Sequence, residues 1–172
     1  EHRVGAGDEM MALGFPRGYH IEVGGGYGMP GIGSFTGIVN RTEGYGTKMK
    51  QAIRDEYGIS INLAGRGEMI PNDQSYCEID PDVKDRWGIP VLRFHWAFTE
   101  HEFLQVKHMQ ETFRAIVDTM GGEVFSPMPS REEGFGIAAG GQIIHELGGV
   151  RMGDDPESSA LNGWCQAHDV PN

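Results

Sequence analysis

A chain of 172 residues is long enough for one domain with a core of its own. Its formal net charge of −11 argues against a nucleic-acid surface or docking on anionic lipid, both of which need clustered Lys and Arg, and no apolar run reaches the length of a membrane span. Apolar content of 38% and charged content of 23% are ordinary for a globular chain, whereas 27 glycines predict many turns.

In chain order, residues 1–16 read as an irregular lead-in. Tyr19, Ile21 and Val23 alternate with His20 and Glu22, which predicts a strand. Gly24 to Gly33 breaks that pattern. Within it Gly26-Tyr27-Gly28-Met29-Pro30-Gly31 matches Gly-x-Gly-x-x-Gly, but a dinucleotide loop needs a helix directly after it and an acidic residue about twenty positions on. The continuation Gly31-Ile32-Gly33-Ser34 does not read as such a helix, so the match is taken as accidental. Met49, Ile53 and Tyr57 fall at helical spacing, with Gly58 as the stop. Ile59, Ile61 and Leu63 predict a second strand, and Tyr76 to Ile79 a third that ends at Asp80-Pro81-Asp82.

Ile89 to Phe98 is the most β-rich run, with Phe94, Trp96 and Phe98 on one face and Arg93, His95 and Ala97 on the other. Thr99 and Glu102 form a capping-box pattern that opens a helix. Phe103, Val106, Met109, Phe113, Ile116, Val117 and Met120 trace one stripe along it, expected to pack on the aromatic face of the 89–98 strand. Gly121-Gly122 ends the helix, Glu123 to Phe125 predicts a short strand, and 126–136 is a loop. Ile143-Ile144 reads as the end of a buried strand running into a glycine-framed turn at His145.

The strands are joined mostly by turns too short for parallel crossovers. The expected class is therefore α+β, with a mainly antiparallel sheet and helices packed on one face. Cys77 and Cys165 are too few for a disulfide framework, and no Cys/His cluster suggests a structural metal site. His145-Glu146 begins like His-Glu-x-x-His, but position 149 is glycine. Arg93 on the polar strand face suits a carboxylate or a sugar hydroxyl, or an ion pair with a nearby acid; His95 beside it faces a cleft or solvent. His101 and His108 on the helix read as surface residues.

The run His145-Glu146-Leu147-Gly148-Gly149-Val150-Arg151-Met152-Gly153-Asp154-Asp155-Pro156, continued by Ser158 to Asn162 and Gln166 to Asn172, resembles the C-terminal signature of the glucose–methanol–choline (GMC) flavin oxidoreductases. It is most similar to the gluconate-dehydrogenase-like sugar and polyol dehydrogenases. Gly67-Glu68, Ile79-Asp80-Pro81-Asp82-Val83-Lys84-Asp85 and Gly88-Ile89-Pro90-Val91 resemble that family's substrate domain. The resemblance implies a substrate-binding domain over 1–142 and a segment, 143–172, that runs back toward an FAD-binding domain. It implies oxidation of a small alcohol or sugar by FAD, the flavin being held mainly by another domain. His145 matches the family's proton-accepting histidine; Asn162, Gln166 and His168 match its flavin-side segment; Arg93 and His95 fall on the substrate side.

Both ends read as cut, with no leader visible at residue 1, which leaves the compartment open between periplasm and cytoplasm. An electron-accepting partner subunit is compatible with this chemistry. The other readings are a non-catalytic carbohydrate-binding module, for which Trp87, Trp96 and Trp164 are the aromatic candidates, and a truncated domain without independent function.

Overall fold

The alternation at Tyr19, Ile21 and Val23 and that at Ile61 and Leu63 meet as one ladder. In the computed structural model, which describes residues 12–25, 32–144 and 149–170, β1 (Tyr19–Gly25) pairs antiparallel with β2 (Ile61–Gly67), Tyr19 opposite Gly67 and Gly25 opposite Ile61. Between them lie α1 (Ile32–Arg41) and α2 (Thr47–Glu56), and later in the chain α3 (Glu100–Thr119). These elements belong to the first of two compact units, residues 1–68 and 101–135; the second comprises residues 69–100 and 136–172.

In the first unit α3 lies against β2, and two glycines make room for it. A Cβ at Gly65 would stand 2.6 Å from Met109 Sδ, and one at Gly67 would collide with the Gln105 carboxamide. Met109, Phe15 and Tyr19 form the buried cluster, with Ile21, Leu104, Val106 and Phe113 packed around it. Gln105 is buried without loss, because its amide donates to the Arg17 carbonyl at 3.0 Å. α3 starts at Glu100, directly after Thr99, as the capping pattern requires. It ends in a Schellman turn: Gly121 takes φ +71°, its N–H donates to Asp118 O, and the Gly122 N–H donates to Val117 O.

The second unit holds a hairpin, β3 (Tyr76–Lys84) and β4 (Pro90–His95), antiparallel with Tyr76 opposite His95, Glu78 opposite Arg93 and Ile79 opposite Leu92. Asp85 makes its turn: Oδ1 accepts from the Trp87 and Ile89 N–H groups, and Gly88 adopts φ +83°. Residues 149–170 carry isolated bridges from Leu161 to Met152 and to Ala167. Among the described residues no helix is long and apolar enough to cross a membrane.

The class is α+β with antiparallel pairing, and among the described residues each unit holds one two-stranded ladder where a larger sheet was expected. α1 is a helix where the sequence suggested a continued break; Ile38, 2% exposed, anchors it despite two glycines of low helix propensity. That helix follows the Gly-x-Gly-x-x-Gly match, which itself lies outside the described residues. The dinucleotide reading still fails, for a different reason: β1 and β2 are antiparallel, whereas such a site needs a parallel strand–helix–strand unit. The helical stripe packs on β2, and Phe94 of the aromatic face of β4 is 69% exposed. Residues 123–125 form no strand, and Ile143 and Ile144 lie exposed in a bend.

Met109→Ala should lower the unfolding free energy by about 2–5 kcal/mol, the usual result of emptying a buried site. The exposed Lys107, whose contact to Glu111 is 3.7 Å long, should change it by less than about 0.5 kcal/mol when made Ala. Urea unfolding followed by circular dichroism measures both; equal effects would contradict the assigned core.

Candidate functional site

A strand alternates its side chains, so Tyr76, Glu78 and Asp80 of β3 share one face with Arg93 and His95 opposite. On that face the side chains are connected. Arg93 Nη2 and Nε lie 2.7 and 2.8 Å from Asp80 Oδ2, and Nη1 lies 3.9 Å from Glu78 Oε1. His95 Nε2 donates to Glu78 Oε1 at 2.9 Å. The His95 ring stacks on Tyr76 with centroids 4.2 Å apart and planes 14° from parallel.

Asp80 anchors the group. It is 7% exposed, and its Oδ1 accepts from the Asp82 and Val83 N–H groups at 2.9 and 2.8 Å. These backbone donors, Val83 first, together with Arg93 hold its carboxyl below the usual carboxylate range, against the opposing effect of burial. The acid that the sequence left unnamed as a partner for Arg93 is therefore Asp80. Sequence reasoning missed Tyr76 and Glu78 as well; the signal was there, since they alternate with Asp80 on the strand that β4 answers.

The opposite face of the hairpin is apolar and uncovered. Ile79, Leu92 and Phe94 on it are all more than half exposed. Trp96, expected to be buried, is 42% exposed and rests on Gly140, where a Cβ would stand 2.7 Å from its Cγ.

The C-terminal segment is organised by its own polar side chains. Asn162 Oδ1 accepts from the Trp164 and Gln166 N–H groups, and its Nδ2 donates to Gln166 Oε1 at 3.2 Å. His168 Nε2 lies 3.0 Å from the Gly153 carbonyl and 3.2 Å from Ser159 Oγ. A carbonyl can only accept, so Nε2 carries a proton. Ser159 Oγ is within reach of the Gly153 and Asp155 carbonyls, so its single hydrogen is taken up by a backbone acceptor. The pair is thus a brace, not a nucleophile with its base. Asn162 and His168 fix the turn, and Gln166 keeps an exposed side chain. His145 lies outside the described residues.

In the first unit the helix histidines are not surface residues. His101 is 9% exposed, and its Nε2 donates to Glu68 O at 3.3 Å. His108 Nδ1 meets Tyr19 Oη at 2.7 Å, Tyr19 Oη meets Thr112 Oγ1 at 2.9 Å, and Thr112 donates to the His108 carbonyl at 2.8 Å. One consistent circuit follows: His108 Nδ1–H to Tyr19, Tyr19 to Thr112, Thr112 to backbone. Burial raises the Tyr19 pKa, with the neighbouring Glu111 adding to it and the Thr112 hydrogen bond opposing it. Among the described residues no group of three or more His, Cys, Asp or Glu is arranged to hold a metal ion.

A family model described as GMC oxidoreductase matches residues 71–172, more than half of the chain. The chain is 29% identical over 167 residues to a 2-methyl-1,2-propanediol dehydrogenase of Mycolicibacterium austroafricanum, covering 92% of this chain and 27% of that protein. It is 28% identical over 131 residues to a gluconate 2-dehydrogenase flavoprotein of Pantoea cypripedii, covering 76% and 21%. A fructose dehydrogenase large subunit of Gluconobacter japonicus is 24% identical over 127 residues, covering 74% and 22%. The chain thus spans about a quarter of the length of these curated relatives.

Because the folded pKa of Asp80 is depressed, its ionised form stabilises the hairpin above the unfolded value of about 3.9, and that contribution is lost as pH falls toward the folded value. The Asp82 and Val83 amide resonances should therefore titrate with a midpoint below about 3.9. Asp80→Asn should abolish that titration and free the Arg93 side chain; a wild-type midpoint above that value would contradict the assignment.

Proposed function

Because the chain belongs to the GMC oxidoreductase family, we propose that it is the substrate-binding part of an FAD-dependent oxidoreductase that oxidises the CH–OH group of a sugar, polyol or related alcohol. The observation that carries the reading is the family match over residues 71–172, supported by relatives named as dehydrogenases of a diol, gluconate and fructose. It favours an enzyme over a non-catalytic carbohydrate-binding module. On this reading residues 1–142 are the substrate domain and 143–172 the segment leading back to the flavin. FAD is held mainly by sequence that the relatives have and this chain does not span.

The donor set here fits a neighbour of the flavin better than its cradle: Asn162 and His168 are committed to the turn, and Gln166 leaves an exposed carboxamide. Bound FAD supplies the hydride acceptor. His145 takes the hydroxyl proton as the hydride leaves; a neutral imidazole is a suitable base because the ordinary histidine pKa, about 6.5, lies close to neutral pH. Arg93 and His95 stand on the substrate side, held in place by Asp80 and Glu78. The name of the fructose relative, a large subunit, supports an electron-accepting partner subunit.

In the flavin-loaded protein that carries this chain, His145→Ala should slow anaerobic flavin reduction by about 10²–10⁴-fold, the usual worth of a positioned base. Substrate affinity should change far less, since the lost interaction matters in the transition state. FAD content should stay near wild type. A mutant that loses flavin or stability yet keeps its reduction rate per bound FAD would refute the catalytic role.

A further inference from the structure

We propose that the polar face of the β3–β4 hairpin is built to receive a neutral substrate with adjacent hydroxyls and to turn away a carboxylate-bearing one, with Tyr76 and Glu78 as its contact residues. The proposal rests on the reading of this hairpin as the substrate side of the enzyme.

Three observations carry it. First, the cation of the connected group, Arg93, is already spent in the fold. Arg93 places two nitrogens on Asp80 Oδ2, and Asp80 is buried. A substrate carboxylate that recruited Arg93 would deprive a buried anion of its counter-charge, which is strongly unfavourable. Second, the charge of the face has the wrong sign. Glu78 and Asp80 stand against Arg93, and even a protonated His95 only brings the sum to zero. An incoming carboxylate would therefore meet Glu78, which is 45% exposed by side chain, without a positive excess to offset it.

Third, the remaining chemistry suits hydroxyls and C–H surfaces. Tyr76 is half exposed and is stiffened by His95 stacked upon it, so it offers a fixed aromatic surface for the apolar side of a sugar or diol. Glu78 accepts one bond from His95 through Oε1. A carboxylate has about four acceptor positions, so lone pairs remain for the hydroxyl hydrogens of a neighbouring diol. The two contact residues lie one register step apart on the same strand face.

The test compares D-glucose and 1,2-propanediol with D-gluconate in the flavin-loaded protein carrying this chain, at one acceptor and one pH. The neutral substrates should exceed gluconate in kcat/KM by about tenfold or more, the scale of discrimination that an unpaired like charge gives. Glu78→Gln should narrow that ratio severalfold by relieving the repulsion. Tyr76→Ala should raise KM for the neutral substrates about five- to tenfold with kcat within about twofold, and Tyr76→Phe should restore it. A merely structural Glu78 would lower both substrates alike and leave the ratio unchanged. Preference for gluconate, or a ratio indifferent to Glu78→Gln, overturns the proposal.

Failure of the flavin reading is distinguishable. If no flavin is reduced by any substrate, titration of the chain itself with D-glucose and with D-gluconate, followed through the Tyr76 and His95 ring resonances, still decides. Shifts with D-glucose and not with gluconate support the neutral-ligand face. Shifts with gluconate alone, or with neither, overturn it.

Discussion

α3 approaches β2 as closely as it does because positions 65 and 67 carry no side chain. Met109 and the Gln105 carboxamide fill the space that two Cβ atoms would take. That approach brings Met109 onto Phe15 and Tyr19, and with them the only buried apolar cluster described in the first unit. It also draws polar groups inward. Tyr19 carries its hydroxyl into the core, so His108 and Thr112 must meet it, and the circuit they form satisfies all three. Helix position, core and buried hydrogen bonds thus follow from two missing methyl groups.

The second unit reaches local order by polar means. Its hairpin has no buried apolar partner described, and a two-stranded ladder alone is marginal in water. Asp80 and Asp85 supply what packing does not. Asp85 ties its turn to two backbone N–H groups, and Asp80 ties the irregular stretch of β3 to two more while gripping Arg93. The polar side chains of its one face are therefore fixed by hydrogen bonds within the fold.

Periodicity made β1, α2, α3 and β4 legible, and the glycine pair after α3 marked its end. It failed where a tertiary contact outweighed a local signal. Pro81 reads as a strand terminator, yet β3 continues to Lys84 because the register shift between Ile79 and Lys84 places the proline in an irregular stretch, where its missing N–H does no harm. α1 was hidden by Gly33 and Gly37 and is held by the burial of Ile38. Alternation on β4 separated its two faces correctly but carried no information on which one is covered. Of the candidate site, Arg93 and His95 were visible on the polar face of β4, whereas their partners depended on a pairing register that no single strand encodes. His145 was identified through family resemblance alone, since one histidine beside glycines has no periodicity to mark it.

The bare side of the hairpin has a colloidal consequence. Ile79, Leu92 and Phe94 present an apolar surface next to strand edges whose backbone groups have no partner strand in the described ladder, the arrangement through which chains add to one another. What opposes such addition is the net charge of −11, a repulsion that works over the screening distance. That distance shrinks from about 10 Å at 0.1 M salt to about 3 Å at 1 M. Concentrated salt thus removes the barrier while strengthening the apolar attraction. Raised ionic strength thus shortens the reach of the repulsion that a second copy would meet at this face.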